Sequence, residues 1–256
     1  MTEFRVLVPV TGAFHGRLRV RRSTGQLDTE GLDRILSEPS QRAISLAKQL
    51  QSEGAELVAV HVDKGGGEGI LREAMSHGIR QGILIEGAPK SESDAGVRAA
   101  TIADVYKQHG PFAAVIGPAR SEFAGFSGTL AAVAGNLDLP CVVGVHGIRG
   151  DGDGFRIDYR SIFGAYELRI PRPCVVLAGD VAPSHPTSWG IHDAYQKRGV
   201  LRVQADQYTS EGALTKRLRI EPHKEPAQSL EDVDGATLIR RLRSRALLPE
   251  PVEGAS

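Results

Sequence analysis

The residues best suited to chemistry lie in one stretch, Ala113 to Thr129, which reads Ala-Ala-Val-Ile-Gly-Pro-Ala-Arg-Ser-Glu-Phe-Ala-Gly-Phe-Ser-Gly-Thr. It opens as a short apolar run. It then becomes a glycine-rich loop carrying Gly117, Pro118, Ala119 and Arg120, followed by Gly125, Phe126, Ser127 and Gly128. A small-residue helical pattern begins at Leu130. Strand, glycine loop and helix in that order build an anion site: the first helical turn leaves N–H groups free, and the helix dipole favours negative charge there. Gly125 and Gly128 let a ligand approach the backbone closely. An ordinary strand-to-helix turn is built from the same residue types, so both readings stand on this stretch alone.

Other chemistry-bearing residues are sparser. The run Arg17-Leu-Arg-Val-Arg-Arg22 alternates cations with Leu18 and Val20 and precedes the turn Ser23-Thr24-Gly25. That pattern reads as an edge hairpin with a solvated charged face, or as an anion patch. Arg149-Gly-Asp-Gly-Asp-Gly154 lacks the distal glutamate and flanking helices of a calcium loop and reads as a turn. No Cys/His cluster has metal-ligand spacing, and no Ser/His/Asp or paired-carboxylate set stands out. His15, His61 and His146 fall near strand ends, where loop solvation accounts for them. Cys141 and Cys174 each sit in a hydrophobic run and read as reduced core thiols. Lysine plus arginine (31) equals aspartate plus glutamate (31), so no net charge points to nucleic acid or an anionic membrane. No apolar run is long enough to span a bilayer, and the N-terminus shows no targeting pattern, which predicts a cytoplasmic chain.

The elements that must position the glycine loop follow from hydrophobic periodicity. Strands are predicted at Phe4–Val10, Glu56–Val62, Gly82–Ile85, Ala113–Ile116, Cys141–Val145 and Pro173–Ala178. Helices are predicted from the Ser37-Glu38-Pro39-Ser40 cap onward, around Ile70–Met75 up to Gly78, over Ala95–Tyr106, and from Leu130 to Asn136. Alternating strands and helices predict an α/β fold, doubly wound around a mostly parallel, Rossmann-like sheet. Ligands bind such sheets beyond the carboxyl ends of the strands, so the loops after Val10, Val62 and Gly117 should converge. Phe155–Ile162 and Ala165–Ile170 predict an antiparallel hairpin turning at Phe163-Gly164. After a short helix reaching Arg198, the chain from Leu201 to Glu225 reads as polar and irregular. Ser229–Leu247 is an amphipathic helix. The expected division is an α/β domain over 1–199 and an arm over 200–256 that packs on a partner.

These segments, in this order, resemble the beta subunit of the electron-transfer flavoproteins. Phe-Arg-Val-Leu-Val-Pro-Val and Thr24-Gly25 follow the family's opening. Leu71-Arg-Glu-Ala-Met-Ser-His-Gly78 is similar to its Leu-Arg-Glu-Ala-Leu-Ala-Met-Gly. Arg160, Phe163-Gly164-Ala165, Glu167 and Pro173-Cys-Val-Val176 resemble its Arg…Gly-Gly…Glu…Pro-x-Val-Val signature. Pro183, Thr187, Ile191, Ala194 and Lys197 keep the spacing of its docking loop and following helix.

The resemblance implies a carrier subunit with no chemistry of its own. It would pair with an alpha subunit holding FAD, take electrons from a flavin-dependent dehydrogenase and pass them to a quinone-pool oxidoreductase. It implies AMP, or a second FAD, in this chain. By position the nucleotide contacts fall on Pro9, Ser37, Glu38, Pro39, Ser40, Val62, and the loop carrying Gly117, Pro118, Ala119, Arg120, Gly125, Phe126, Ser127 and Gly128. The loop departs from the family pattern: it is one residue shorter and lacks the usual glutamine, and Ser37 replaces an asparagine. Trp189, the single tryptophan, sits in the polar loop Asp180–Gly190, and the family's docking leucine aligns with Ser188. That places partner docking on Ser188 and Trp189. Two other adenine-nucleotide folds fit less well. An ATP pyrophosphatase needs Ser-Gly-Gly-x-Asp-Ser where this chain has Thr11-Gly-Ala-Phe-His15. A universal-stress-type loop needs a second glycine where Arg120 stands.

Overall fold

The computed structural model describes residues 4–16, 18–21, 26–63, 67–86, 95–122, 125–126, 128–196 and 199–204, together with 234, 237, 239 and 240. Strand β1 (Phe4–Pro9) is apolar on both faces: Leu7 packs into one core layer, Val6 and Val8 into the other. Such a strand must run through the middle of a sheet covered on both sides. Two small hairpins follow. In one, β2 (Gly12–His15) pairs with β5 (Asp33–Leu36); in the other, β3 (Arg19–Arg21) pairs with β4 (Gln26–Asp28). Arg19–Arg21 of the basic run are therefore hairpin, and Arg21 bonds Asp28 at 2.8 Å and Glu30 at 2.7 Å on an exposed face.

Helix α1 (Glu38–Gln51) starts at Ser37, whose hydroxyl accepts from the Ser40 N–H, with proline in the first turn where its missing donor costs nothing. Then come β6 (Ala55–Val62), α2 (Glu68–Ser76), β7 (Gln81–Glu86), α3 (Ala95–His109) and β8 (Ala114–Pro118). The glycine loop forms a minimal hairpin, β9 (Arg120–Ser121) with β10 (Gly125–Phe126), and leads into α4 (Thr129–Leu137). The second half contributes β11 (Cys141–Asp151), β12 (Gly154–Ser161), β13 (Gly164–Pro171), β14 (Cys174–Ala178), α5 (Ser188–Tyr195) and β15 (Val200–Gln204).

Nine strands make one sheet in the order β13-β12-β11-β14-β8-β1-β6-β7-β15. From β11 to β15 every neighbouring pair is parallel, while β11, β12 and β13 form an antiparallel meander. The fold is α/β, a mostly parallel sheet with an antiparallel hairpin and, among the described residues, five helices. Helices α1 and α2 bury Ile44, Leu50, Ile70 and Leu71 on one face. Helices α3 and α4 bury Ile102, Val105, Leu130 and Val133 on the other. The chain winds outward from β1 through β6 and β7, then returns to place β8 on the opposite side of β1. The carboxyl ends of β1 and β8 therefore flank a topological switch point, where the loops diverge and leave a crevice.

Three expectations change. First, β11 continues past Val145 to Asp151, and the expected turn cluster shrinks to Gly152-Asp153. Second, Cys141 is exposed and only Cys174 lies in the core. Register shifts at Gly144, which takes a positive φ of 79°, so Val142 faces the core before it and Val145 after it. Cys141 and Val143 alternate with them and are exposed. Third, Val200–Gln204 is no irregular tail but the edge strand of the sheet, bonded in register to β7. Most of the arm beyond it lies outside the described residues. Of the expected Ser229–Leu247 helix, residues 237, 239 and 240 are helical, and the Asp234 carboxylate accepts from the Thr237 N–H at 3.0 Å, as an N-cap does.

Candidate functional site

The loops after β1, β6 and β8 do converge. Pro9 and Val10, Val62 and Asp63, and Pro118 line one cavity of about 150 Å³ at the switch point. Its far wall is Thr129 and Leu130 from the start of α4, with Arg98 and Ile102 from α3. The β2–β5 hairpin closes over it through Gly12 and Arg34. Gly117 lies beneath: a Cβ there would fall far inside van der Waals contact with Leu130 Cδ1, so glycine is what brings the first turn of α4 down onto β8.

Among the described residues, Arg34, Arg98 and Arg120 line the cavity against one carboxylate, Asp63, an excess of positive charge. Asp63 is buried and paired with Arg34 at 2.9 Å, which fixes the hairpin over the strand ends. At α4 the cap residue Gly128 supplies no side-chain acceptor, so the helix end adds a positive partial charge facing the same space. An arginine-lined crevice at a helix N-terminus suits a phosphate or another compact anion.

His61 is the group that sequence reasoning underrated. It is 3% exposed, not solvated, and it lines the cavity. Its Nδ1 lies 2.9 Å from the Val10 carbonyl oxygen. A carbonyl only accepts, so Nδ1 carries the proton. Burial pushes the imidazole below its ordinary pKa, opposed by the Val10 bond and by the Asp63 charge. The ring is therefore neutral, and Nε2 is a buried lone-pair acceptor with no partner among the described residues.

The remaining expected site residues divide by location. Ala119 is buried next to Pro118, and Arg120 pairs with Phe126 across the small hairpin that also holds Gly125. Gly128 caps α4 with open space where a Cβ would sit. Ser127 lies outside the described residues. Ser37 and Ser40 are buried beside the site but do not line it. Their hydroxyls are 2.9 Å apart, Ser37 meets Thr11 Oγ1 at 2.9 Å, and the Thr11 N–H donates to Ser40 Oγ at 2.9 Å. This hydroxyl cluster ties the exit of β1 to the start of α1. Glu38 faces outward to Arg42, and Pro39 is half-buried behind it. Ser188 and Trp189 lie elsewhere, on the first turn of α5, with Trp189 80% exposed.

The Leu-Arg-Glu-Ala-Met stretch forms most of α2, and its polar residues have structural partners. Arg72 bonds Glu68 at 2.8 Å and the Ala194 carbonyl of α5 at 2.5 Å. The Glu73 carboxylate accepts from the Leu36 N–H at 2.6 Å. One helix thus holds both the hairpin over the cavity and the helix that presents Trp189. Arg34 and Arg98 went unremarked as site residues because each is isolated in sequence, while His61 and Asp63, on either side of the expected contact Val62, were passed over. The signal for His61 was the strand itself: alternation places it on the core face with Leu57 and Ala59, not in a loop.

The chain matches the family description of the electron transfer flavoprotein domain over residues 24–184, more than half its length. No curated protein matches it. The match covers the glycine loop, four of the five helices entire or in large part, and the hairpin β12–β13. The protein belongs to the electron transfer flavoprotein domain family.

Proposed function

We propose that the chain is the beta-type subunit of a heterodimeric electron-transfer flavoprotein. In this reading it pairs with an alpha-type subunit that holds FAD, accepts electrons from a flavin-dependent dehydrogenase and delivers them to a quinone-pool oxidoreductase. The FAD of the partner would supply the redox chemistry. The residues of this chain bind, orient and dock.

The observation that carries the reading is the cavity at the switch point. Its residues fit AMP on two counts: among the described residues arginines outnumber carboxylates three to one, and an uncapped helix start faces it. Arg34, Arg98, Arg120 and the first turn of α4 would hold the phosphate, and Pro9, Val62 and Pro118 would border the rest of the nucleotide. A ligand bound only to the native state stabilises it by mass action.

Two surfaces support the partners. The turn of the β12–β13 hairpin exposes Ile162 (93%) and Phe163 (83%), and the open edge strand β13 adds Tyr166 and Leu168. An open, apolar edge is a liability unless something covers it, and we assign it to the alpha-type subunit. On α5, Trp189, Ile191 and Tyr195 are each exposed, and we assign this helix to the dehydrogenase. The test is co-expression of the chain with a flavoprotein alpha-type subunit. The pair should co-purify as a yellow heterodimer releasing AMP on acid extraction.

A further inference from the structure

The nucleotide reading leaves one buried group unexplained, and its chemistry narrows what can lie against it. The His61 ring is fixed on two sides. Nδ1 donates to Val10 at 2.9 Å, and the backbone of Gly67 sits so close that a Cβ there would lie 2.6 Å from Cδ2. The tautomer cannot reverse without losing the Val10 bond, because two acceptors would then face each other. Nε2 is thus held as a buried acceptor on a residue that lines the cavity together with Arg34, Arg98, Arg120 and the hydroxyl residues Thr11, Ser121 and Thr129. A buried polar atom left unpaired costs free energy, so such atoms in native structures are normally satisfied. A fully deprotonated phosphate or a carbonyl oxygen cannot satisfy the neutral ring's Nε2, since it brings only lone pairs. The group that meets Nε2 must carry an N–H or O–H.

We propose that His61 is a specificity residue of the nucleotide site, accepting at Nε2 a hydrogen bond from a sugar hydroxyl or base amino group of the bound nucleotide. The inference rests on the reading of the cavity as a nucleotide site. It sorts the cavity into two ends: the anion belongs with Arg34, Arg98, Arg120 and the start of α4, and the nucleoside belongs with His61. It also assigns a function to a residue type that a purely structural strand would not need, since an aliphatic side chain there would bury no polar atom.

The test is a cycle between protein and ligand, using the full-length chain stripped of nucleotide. Affinity is measured by calorimetry for AMP, 2′-deoxy-AMP, 3′-deoxy-AMP and purine riboside 5′-monophosphate, which lacks the amino group. The wild-type chain should bind one of the three analogues about tenfold more weakly than AMP, the scale of one buried hydrogen bond. His61→Leu should bind AMP about tenfold more weakly and no longer distinguish that analogue. His61→Gln, which keeps an acceptor oxygen, should restore part of the discrimination and serves alone if the leucine variant does not fold. If wild type and variants rank all four ligands alike, His61 is a packing residue and the inference is overturned while the nucleotide site stands. If AMP does not bind the wild-type chain even at millimolar concentration, the nucleotide reading fails and takes the inference with it.

Discussion

Truncating Trp189 separates docking from folding, and the structure gives both magnitudes. The side chain is 80% exposed, so about a fifth of its surface is covered within the chain. An aromatic of this size buries at most ~250 Å², so the covered part is ~50 Å², about 1 kcal/mol at ~25 cal/mol/Å². Alanine is the better helix former by a few tenths of a kcal/mol, which offsets part of that loss on the first turn of α5. Trp189→Ala should therefore lower the melting temperature by no more than about 4 °C. The exposed ~200 Å² sets a ceiling of about 5 kcal/mol at an interface. Ordering and desolvation reduce it toward the ~2 kcal/mol typical of tryptophan hot spots. At 1.4 kcal/mol per decade, the apparent KM of the donor dehydrogenase for this carrier should rise about tenfold or more. The assay is steady-state reduction of the heterodimer by its dehydrogenase, with flavin content measured alongside. An unchanged KM, or a large stability loss with unchanged kinetics per folded molecule, would refute the assignment of α5 as the docking element.

Other consequences are equally concrete. Gly128→Val enters open space and should leave the melting temperature of the nucleotide-free chain unchanged while lowering AMP content, whereas Gly117→Val must displace Leu130 and should cost about 1–3 kcal/mol by overpacking; thermal melts and acid extraction separate the two, and full AMP retention in the Gly128 variant would remove the α4 start from the site. His77 is buried with neither ring nitrogen paired among the described residues, and burial, with Lys48 and His185 nearby, pushes its pKa down to about 4. The unfolded chain, at about 6.5, takes the proton first, so this contribution is complete above pH 6.5 and is lost as the pH falls toward 4, at most about 3 kcal/mol and less where water reaches the ring. His77→Phe should flatten the fall in melting temperature over that window, and parallel curves would show that His77 is not its source. Ser40→Ala strips the acceptor from the Thr11 N–H and should destabilise by about 1–2 kcal/mol, with AMP content per folded molecule unchanged; a disproportionate loss of AMP would bring the 37–40 turn into the site itself.

The parallel core was legible because its strands are apolar on both faces and its helices carry clear caps, Ser37 above all. The switch point followed from strand order, and the three predicted loops meet there. The electrostatics of the site were not legible. Arg34 comes from a hairpin whose strands are only four residues long, and Arg98 from the middle of the first turns of α3. Nothing in sequence brings either beside Asp63. Ser37 and Ser40 illustrate the converse: a cap read from sequence is real, yet its hydroxyls are spent on Thr11 rather than turned toward the cavity. Cys141 misled because a hydrophobic run does not reveal a bulge, and the shift at Gly144 decides which face it takes. β15 was missed because an edge strand with polar neighbours, Val-Leu-Arg-Val-Gln, lacks a two-sided apolar signature.

The most direct test of the account is the composition of the purified protein. The chain expressed alone should be colourless. Co-expressed with its alpha-type partner it should give a heterodimer with one FAD per pair and AMP in the acid extract, in amounts that fall when Arg34 and Arg120 are replaced together by glutamine. Stoichiometric FAD on the chain alone, or a yellow heterodimer whose extract contains no adenine mononucleotide, would contradict the claim that the switch-point cavity of this subunit holds AMP.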